Sequence, residues 1–363
     1  MIKVLFDHQI FSEQKYGGIS RYFKYLIDGI KQDEEVDYDL GLLRSDNYYI
    51  QREHQLLKNR LFDRFFTTHA KLVKRSNSYS KYLLNKNNFS VFHPTYFDTY
   101  FLKHLKKPLV ITVHDMTYEA LPHYFSSTDA LPFQKRLLME KADRIIAISE
   151  TTKKDILMYS NIKEEKVVVI HHGIENSQSE YEIVENLPEK YILFVGARWS
   201  YKNFYLLANA FKAIASKYPD LRLVLAGGGP LTFGDSEFLI RNNILEKTIQ
   251  ISATDKQLNT LYKNALCFIY PSLYEGFGLP ILEAFKNGCP TLLSDCSCFR
   301  EVAGDAAIYF DHLSLTALTS EIENLLDNKQ LTTQLIAKGQ ARLNKFPIEK
   351  CISKTIDLYK TIV

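Results

Sequence analysis

The sequence has little net charge. Its 363 residues include 45 Lys and Arg against 42 Asp and Glu, which gives a formal charge of +3 at pH 7. Proteins that bind nucleic acids through a basic surface have a much larger excess of positive charge, so no nucleic-acid partner is predicted. No apolar run approaches the roughly 18 residues of a membrane-spanning helix, so none is predicted.

Cysteine is also scarce, with five residues and no Cys-x-x-Cys pair. Cys289, Cys296 and Cys298 lie close together in the sequence, but no histidine is near and the spacing is not that of a zinc site. We interpret the cysteines as reduced thiols and expect a cytoplasmic protein.

Short apolar runs alternate with helical patterns in both halves of the chain. Strands are predicted at 2–6, 91–94, 109–114, 144–149, 167–171, 191–195, 221–226, 249–251, 267–270 and 290–294. Continuous apolar strands separated by helices are typical of parallel sheets. The predicted fold class is α/β, with two doubly wound Rossmann-like domains facing a central cleft that holds the ligand.

A polar, acidic segment at 176–190 interrupts this alternation and is the best candidate for a linker. It separates an N-terminal domain at 1–175 from a C-terminal domain at 191–345. A last helix is predicted at 346–363.

Positive charge is concentrated at 52–86, where nine Lys or Arg stand against two Asp or Glu. Part of this segment mixes cations with Leu and Phe, which indicates an amphipathic helix. Such a helix can rest on an anionic membrane surface, or it can pack its apolar face on the N-terminal domain. Both interpretations stay open, so peripheral contact with the inner membrane face is a hypothesis.

The most informative segment is PSLYEGFGLPILEA at 271–284. Gly276 and Gly278 permit close backbone approach and unusual φ angles. The open N–H groups and dipole of the helix that follows favour a phosphate. Glu275 precedes the loop and Glu283 lies one turn into the helix, so both carboxylates can accept hydrogen bonds from sugar or ribose hydroxyls in one pocket.

This segment resembles the E-x7-E signature of glycosyltransferase family 4, whose members have the GT-B fold and retain the anomeric configuration. Other segments resemble motifs of that family in the same order. They are YGGISRY (16–22), VHD (113–115), ADRIIAIS (142–149), HHGI (171–174), VGARWSYKN (195–203), LVLAGGGP (223–230), SD (294–295) and EVAGDAA (301–307). The resemblance is weak only at about 40–90. His172 departs from it, since the family usually has Asn there. The family resemblance also implies that the last helix, at 346–363, crosses back to the N-terminal domain.

The resemblance implies that Arg198 and Lys202 hold the donor diphosphate and that Glu283 binds the ribose. Arg offers a planar fork to phosphate oxygens, and Lys offers a compact charge. Glu275 and the loop N–H groups would hold the transferred sugar and the distal phosphate, and His114 would lie under the sugar from the acceptor-side N-terminal domain. The further donor-binding residues that it implies are Gly17, Gly18, Gly196, Ser252, Ala253, Gly276, Phe277, Gly278 and Leu279.

The implied reaction moves a hexose from a nucleotide sugar to a saccharide or lipid-linked saccharide, in surface polysaccharide or glycolipid assembly. The opening motifs look most like mannosyltransferases, so GDP-mannose is the first expectation and a UDP-hexose the second. Same-face attack, with a donor phosphate oxygen taking the acceptor proton, would retain the configuration. No cofactor or metal ion is expected, because two cations serve the diphosphate and the only Asp-x-Asp, at 37–39, fits a solvated turn before a strand.

Two functions from other classes fit less well. A nicotinamide-dependent oxidoreductase needs G-x-G-x-x-G after the first strand, and FDHQI at 6–10 lacks these glycines. A non-catalytic sugar-nucleotide-binding partner in an assembly complex could lose any of the four charged site residues, and all four are present.

Overall fold

The computed structural model describes residues 1–50, 69–175, 177–198 and 200–363. The first part of the basic segment at 52–86 therefore lies outside the described residues. The chain forms two compact units: the first contains Met1–Gly173 and Ile348–Val363, and the second contains Ile174–Pro347. Within the described ranges no helix is both long and apolar enough to cross a membrane.

The first unit is built on parallel strands that are mostly buried. They are β1 (Ile2–Phe6), β2 (Val36–Leu40), β3 (Val91–His93), β4 (Val110–Val113), β5 (Arg144–Ala147) and β6 (Val167–Val169). Their hydrogen bonds give the orders β2-β1-β3 and β4-β5-β6. A parallel bridge between Phe92 and Leu109 connects the two groups.

The Asp-x-Asp at 37–39 lies inside β2, whereas the sequence predicted a turn before a strand. In the parallel register Lys3 of β1 lies opposite Asp37. Its Nζ is 3.5 Å from Asp37 Oδ2 and 3.6 Å from Asp39 Oδ2. The acidic residues are tolerated in a strand because β2 is the outer strand of its group and a lysine lies between the two carboxylates.

The helices of the first unit include the last helix of the chain. They are α1 (Gln9–Glu13), α2 (Gly18–Ile30), α3 (His69–Lys86), α4 (Thr117–Ala120), α5 (Leu131–Lys141), α6 (Glu150–Tyr159) and α14 (Ile348–Ile362). α14 packs so closely on α2 that a Cβ at Gly29 would lie 2.2 Å from Ile352 Cγ2. The Tyr359 hydroxyl of α14 is buried 2.6 Å from His93 Nδ1. These contacts make α14 part of the core of the first unit.

The second unit contains one parallel sheet. Its strands are β7 (Tyr191–Val195), β8 (Arg222–Ala226), β9 (Thr248–Ile251), β10 (Cys267–Tyr270), β11 (Thr291–Ser294) and β12 (Ile308–Phe310), in the order β12-β11-β10-β7-β8-β9. This is the strand order of a doubly wound dinucleotide-type sheet, in which the winding changes direction between the first and fourth strands. Here that switch lies between β7 and β10.

The helices of the second unit are α7 (Phe204–Ile214), α8 (Phe233–Arg241), α9 (Asp255–Asn264), α10 (Leu279–Lys286), α11 (Ser297–Ala303), α12 (Leu315–Asp327) and α13 (Lys329–Leu343). Capping boxes begin α8 and α9: Thr232 pairs with Asp235, and Thr254 pairs with Gln257. Short 3-10 turns lie at Pro122–Tyr124, Glu164–Lys166, Ser200–Lys202 and Leu245–Lys247.

The acidic segment predicted as a linker belongs to the second unit and lies along α9. Thr260 of α9 donates from Oγ1 to Glu182 O at 2.7 Å and accepts from Glu182 N at 3.2 Å. The chain passes from the first unit to the second between Gly173 and Ile174, a few residues before the predicted linker.

Candidate functional site

Two polar loops lie next to each other at the winding switch of the second unit. The loop after β7 carries Arg198 and Lys202, and the loop after β10 carries Glu275. In doubly wound sheets, ligands bind outside the carboxyl ends of the strands at this switch. The strand order therefore predicts a ligand site at Arg198, Lys202 and Glu275, and the sequence motifs predict the same residues.

Lys202 and Glu275 form an ion pair in this site. Lys202 Nζ donates to Glu275 Oε1 at 2.5 Å, and the two side chains are only 16% and 13% exposed. Burial raises the pKa of Tyr270, and the Glu275 carboxylate raises it further, so the phenol stays protonated beside the pair. Lys202, whose charge can bind phosphate, is thus hydrogen-bonded to Glu275, whose carboxylate can bind sugar hydroxyls.

Glu283 reaches the site region from α10. Its side chain is buried, and Oε2 accepts a hydrogen bond from Tyr262 Oη at 3.2 Å. Tyr262 is fully buried on α9, so it holds the carboxylate in a fixed orientation. An ionised carboxylate accepts several hydrogen bonds, which leaves capacity for hydroxyls such as those of a ribose.

The turn that begins α10 requires glycine at position 278. Gly278 is the N-cap residue of α10 and has a φ of +95°, in the left-handed region. A Cβ there would lie 2.9 Å from Ile281 Cδ1 and 3.0 Å from Phe299 Cε1. Both the backbone conformation and the close packing therefore exclude larger residues.

The rest of this loop is fixed by burial. Gly276 and Phe277 are buried, and the Phe277 ring packs edge-on against Phe346 with the centroids 5.6 Å apart. α10 starts at Leu279. Pro280 has no N–H and Ile281 N donates to Gly278 O at 2.9 Å, so among the described residues the Leu279 N–H is the donor left open in the first turn. Together with the helix dipole, it makes this turn favourable for an anion.

Arg198 has other partners than those the sequence predicts. Its buried guanidinium donates from Nε to Asp235 Oδ2 at 3.1 Å. The two Nη atoms donate to four carbonyl oxygens, those of Gly227 (3.2 Å), Gly228 (3.4 Å), Gly229 (3.0 Å) and Pro230 (2.6 Å). A buried guanidinium must satisfy its donors, and these acceptors do so. The Arg198 guanidinium, which the family resemblance implies binds a diphosphate, thus donates its hydrogen bonds to protein groups in this structure.

The glycines around Arg198 bring two loops together. Gly196 has a φ of +134°, and no atom lies within 4 Å of a Cβ built there. Gly228 has a φ of +68°, and a Cβ there would lie 2.8 Å from both Ala197 Cα and Gly196 O. The loop after β8 therefore packs directly on the loop after β7.

Ser252 and Ala253, which the family resemblance implies are donor-binding residues, follow β9. β9 lies at the outer edge of the sheet, and β8 separates it from β7. Ser252 is exposed and Ala253 is half-buried. The two residues lie at the same carboxyl edge as Lys202, but two strands away from the winding switch.

His114 follows β4 in the first unit. Its ring stacks on His172 with the centroids 5.5 Å apart and meets the edge of the Tyr22 ring at 5.5 Å. Burial lowers the pKa of His114 to about 4, so the ring is neutral near pH 7. Nε2 is buried and has no hydrogen-bond partner among the described residues. Such a nitrogen can bind a ligand hydroxyl.

Gly17 and Gly18 begin α2. Gly17 is the N-cap residue of this helix. Ser20 lies inside the first turn, where its Oγ donates to Gly17 O at 3.1 Å and its N–H donates to Gln14 Oε1 at 3.3 Å. The two glycines thus leave the start of α2 without a bulky side chain.

Sequence reasoning missed two supporting residues. Asp235, which holds Arg198, lies in the pattern Thr-x-x-Asp at 232–235, and this capping-box signal could have revealed it. Lys135 is buried on α5 and donates to the carbonyl oxygen of Asp115 at 3.1 Å and to Glu119 Oε2 at 2.7 Å. It fixes the segment next to His114, and no motif marks it.

Two family models match consecutive parts of the chain. Residues 16–178 match "Glycosyltransferase Family 4", and residues 177–342 match "Glycosyl transferases group 1". The chain is thus a two-unit glycosyltransferase with the GT-B fold. It belongs to glycosyltransferase family 4, which confirms the resemblance seen in the sequence.

Two curated relatives are mannosyltransferases. "O-antigen chain mannosyltransferase B" of Escherichia coli is 27% identical over 281 residues, which cover 72% of this chain and 73% of the relative. "O-antigen chain mannosyltransferase RfbU" of Salmonella typhimurium is 28% identical over 221 residues, which cover 60% of this chain and 61% of the relative.

A solved structure with the same fold is Anabaena Alr3699/HepE in complex with UDP-glucose. It superposes with a TM-score of 0.74 at 15% identity and covers 99% of this chain and 100% of its own. At this identity the likeness shows the fold alone.

Proposed function

We propose that this glycosyltransferase moves mannose from GDP-mannose to a saccharide or lipid-linked saccharide, with retention of configuration, in the assembly of a surface polysaccharide or glycolipid. The observation that carries the proposal is the Lys202–Glu275 pair at the winding switch. A cation and a carboxylate form an ion pair at this point of the sheet. α10 follows the loop that carries Glu275, and its first turn is favourable for an anion. The two mannosyltransferase relatives support the choice of sugar.

In the proposed reaction, Lys202 neutralises the negative charge that grows on the leaving diphosphate. Glu283 binds the ribose, and Glu275 binds the sugar that is transferred. The bond from the anomeric carbon to the phosphate oxygen breaks, and the acceptor oxygen bonds to that carbon from the same face. The acceptor proton passes to a phosphate oxygen, so the products are a glycosylated acceptor and a nucleoside diphosphate.

His114 is proposed to bind a hydroxyl of the sugar. Its ring is neutral near pH 7, and the buried Nε2 lacks a partner among the described residues. Hydrogen bonding to a substrate hydroxyl would satisfy this nitrogen. The stacked His172 ring limits rotation of His114 and so supports a positioning contact.

The proposed reaction needs no divalent metal ion. Lys202 supplies positive charge at the diphosphate, and the start of α10 supplies the helix dipole and the Leu279 N–H. Within the described ranges there is no group of three or more His, Cys, Asp or Glu side chains arranged to hold a metal.

Peripheral contact with an anionic membrane is proposed for the described part of the basic segment. α3 buries Leu72 and Leu84 and exposes Lys71, Lys74 and Arg75. This arrangement supports electrostatic contact of the cations with lipid head groups, because the apolar side of the helix is already used inside the first unit.

A transfer assay tests the proposal. The purified chain is given GDP-mannose or UDP-glucose with a lipid-linked saccharide acceptor, with and without EDTA, and the product anomer is assigned by NMR. We expect mannose transfer with the donor's α configuration kept, in EDTA as well. An inverted product would refute retention. Loss of activity in EDTA that Mg²⁺ or Mn²⁺ restores would refute independence from metal.

A UDP-hexose is the second candidate donor, because a solved neighbour of the same fold was crystallised with UDP-glucose. Transfer from UDP-glucose alone would select it. A protein that binds a nucleotide sugar but neither transfers nor hydrolyses it would be a non-catalytic binding partner.

A further inference from the structure

The carbonyl groups of the loop after β8 are held by a buried side chain, that of Arg198. The Arg198 side chain is 3% exposed, and it bonds to the carbonyl oxygens of all four residues of the GGGP segment at 227–230. The segment itself is exposed. One guanidinium therefore fixes the orientation of four consecutive carbonyl groups on a surface loop.

This orientation also fixes the N–H groups on the other side of the loop. In a planar trans peptide, the N–H points opposite to the carbonyl. The N–H groups of Gly228, Gly229 and Leu231 therefore point away from Arg198. Within the described part of the chain, these three N–H groups donate no hydrogen bond. The loop presents three donors that suit an anionic oxygen.

Asp235 fixes the guanidinium in turn. Its Oδ2 accepts from Arg198 Nε at 3.1 Å and from Thr232 N at 3.0 Å, and its Oδ1 accepts from Tyr205 Oη at 3.1 Å. Burial alone would raise the pKa of Asp235, but the hydrogen bonds from Thr232 and Arg198 outweigh it and lower the pKa. The ion pair is thus fully formed near pH 7.

We propose that Arg198 is a positioning residue for the donor nucleotide: it fixes the Gly227–Pro230 loop so that the N–H groups of this loop bind an anionic oxygen of the nucleotide. This inference rests on the proposed function, because it assumes a nucleotide donor. It gives Arg198 a different role from that of Lys202, which is proposed to touch the leaving group directly.

Variants with no change at the Arg198 side chain separate the two roles. Asp235→Asn keeps the charge of Arg198 but loosens its orientation. Gly228→Ala displaces the loop without changing any charge, since its Cβ would lie 2.8 Å from Ala197 Cα. Gly234→Ala is the matched control, because its Cβ has no neighbour nearer than Thr232 Oγ1 at 3.9 Å.

The experiment measures dissociation constants for GDP and UDP by isothermal titration, and kcat at saturating donor, for the wild type, Arg198→Ala, Asp235→Asn, Gly228→Ala and Gly234→Ala. Melting curves identify variants that do not fold. We expect the first three variants to weaken binding of the better nucleotide by about tenfold to 10²-fold, as for the loss of one hydrogen bond to a charged group. We expect kcat at saturating donor to stay within a few fold, and Gly234→Ala to match the wild type.

The contrary results are equally specific. Wild-type nucleotide affinity in folded Asp235→Asn and Gly228→Ala would overturn the positioning role. So would a 10²-fold loss of kcat in Arg198→Ala with unchanged nucleotide affinity, which would indicate direct contact with the leaving group. Binding of UDP but not GDP would refute the proposed donor and leave the Arg198 comparison valid with UDP. Binding of neither nucleotide by the wild type would overturn both proposals.

Discussion

Replacing Lys202 by Ala should separate catalysis from stability. The substitution removes the cation proposed to stabilise the leaving diphosphate, and loss of one such group typically lowers kcat by about 10²–10³-fold, or about 3–4 kcal/mol. It also leaves Glu275 without its 2.5 Å partner. Breaking a fully buried pair costs about 3–5 kcal/mol. Because the Lys202 and Glu275 side chains are 16% and 13% exposed, we expect Lys202→Ala to lower the free energy of unfolding by less, about 1–3 kcal/mol.

The double variant Lys202→Ala with Glu275→Gln distinguishes the two effects. Urea denaturation should show that it recovers most of the free energy of unfolding, because no unpaired charge remains in the site. Its kcat at saturating donor should stay low, because the leaving group still lacks its cation. Near-normal kcat in folded Lys202→Ala would refute the assignment of Lys202. Recovery of kcat in the double variant would show that the unpaired charge of Glu275, and not the loss of the cation, caused the defect of Lys202→Ala.

Four further predictions concern other parts of the protein. Glu283→Ala should weaken nucleoside diphosphate binding with little change in kcat, whereas Glu275→Ala should lower kcat as well; equal losses of affinity in titrations would refute this division. Gly278→Ala should lower the melting temperature and the activity, because a Cβ would lie 2.9 Å from Ile281 Cδ1 at a φ of +95°; an unchanged melting curve would contradict the packing argument. Burial lowers the pKa of His114 to about 4 from an ordinary 6.5, so the unfolded chain binds a proton that the native state excludes between these values. The contribution of His114 to the free energy of unfolding should be complete above about pH 6.5 and fall by up to about 1.4 kcal/mol per pH unit toward pH 4. Burial also lowers the pKa of His93 and His172, so these two residues add to the total slope. His114→Asn should flatten this dependence in urea titrations, and an equally steep profile in the variant would assign it to other groups. Transfer should survive exhaustive EDTA treatment, with activity before and after chelation as the measurement.

Local sequence signals predicted most of the architecture. The alternation of apolar runs and helical patterns predicted two parallel α/β units. Strands of a parallel sheet are buried on both faces, so each one is a continuous run of apolar residues in the sequence. The glycines and the proline near 276–280 predicted the start of α10, which the structure places at Leu279–Lys286. These signals depend on neighbouring residues alone, so they can be read without knowing the fold.

Contacts between distant residues could not be predicted in this way. Lys202 and Glu275 are 73 residues apart, and only the position of β10 beside β7 brings them together. An Arg after a strand and a glycine fits phosphate binding, so the sequence predicts a ligand contact for Arg198 but not its contacts within the protein. The carbonyl groups that bind it come from a loop about 30 residues later, and their orientation depends on backbone angles that composition does not reveal.

Other differences have simple physical reasons. The acidic residues at 37–39 resembled a solvated turn, but an outer strand with Lys3 beside it accommodates them. The acidic segment near Glu182 resembled a free linker because its composition is polar, yet its backbone hydrogen bonds to Thr260 hold it on α9. The residues at 37–39 are half-buried, whereas most of the segment at 177–190 is exposed, and composition predicted the backbone conformation of neither.

The most direct test of the account is a thermal-shift panel of nucleotide sugars against the wild type and Glu283→Ala. A true donor stabilises the folded state by mass action, by about 2.7 kcal/mol at a hundredfold excess over its dissociation constant. We expect GDP-mannose to raise the melting temperature of the wild type more than UDP-glucose does, and we expect a much smaller shift in Glu283→Ala. No shift of the wild type with any nucleotide sugar, or an equal shift in both proteins, would contradict a donor site at the winding switch of the second unit.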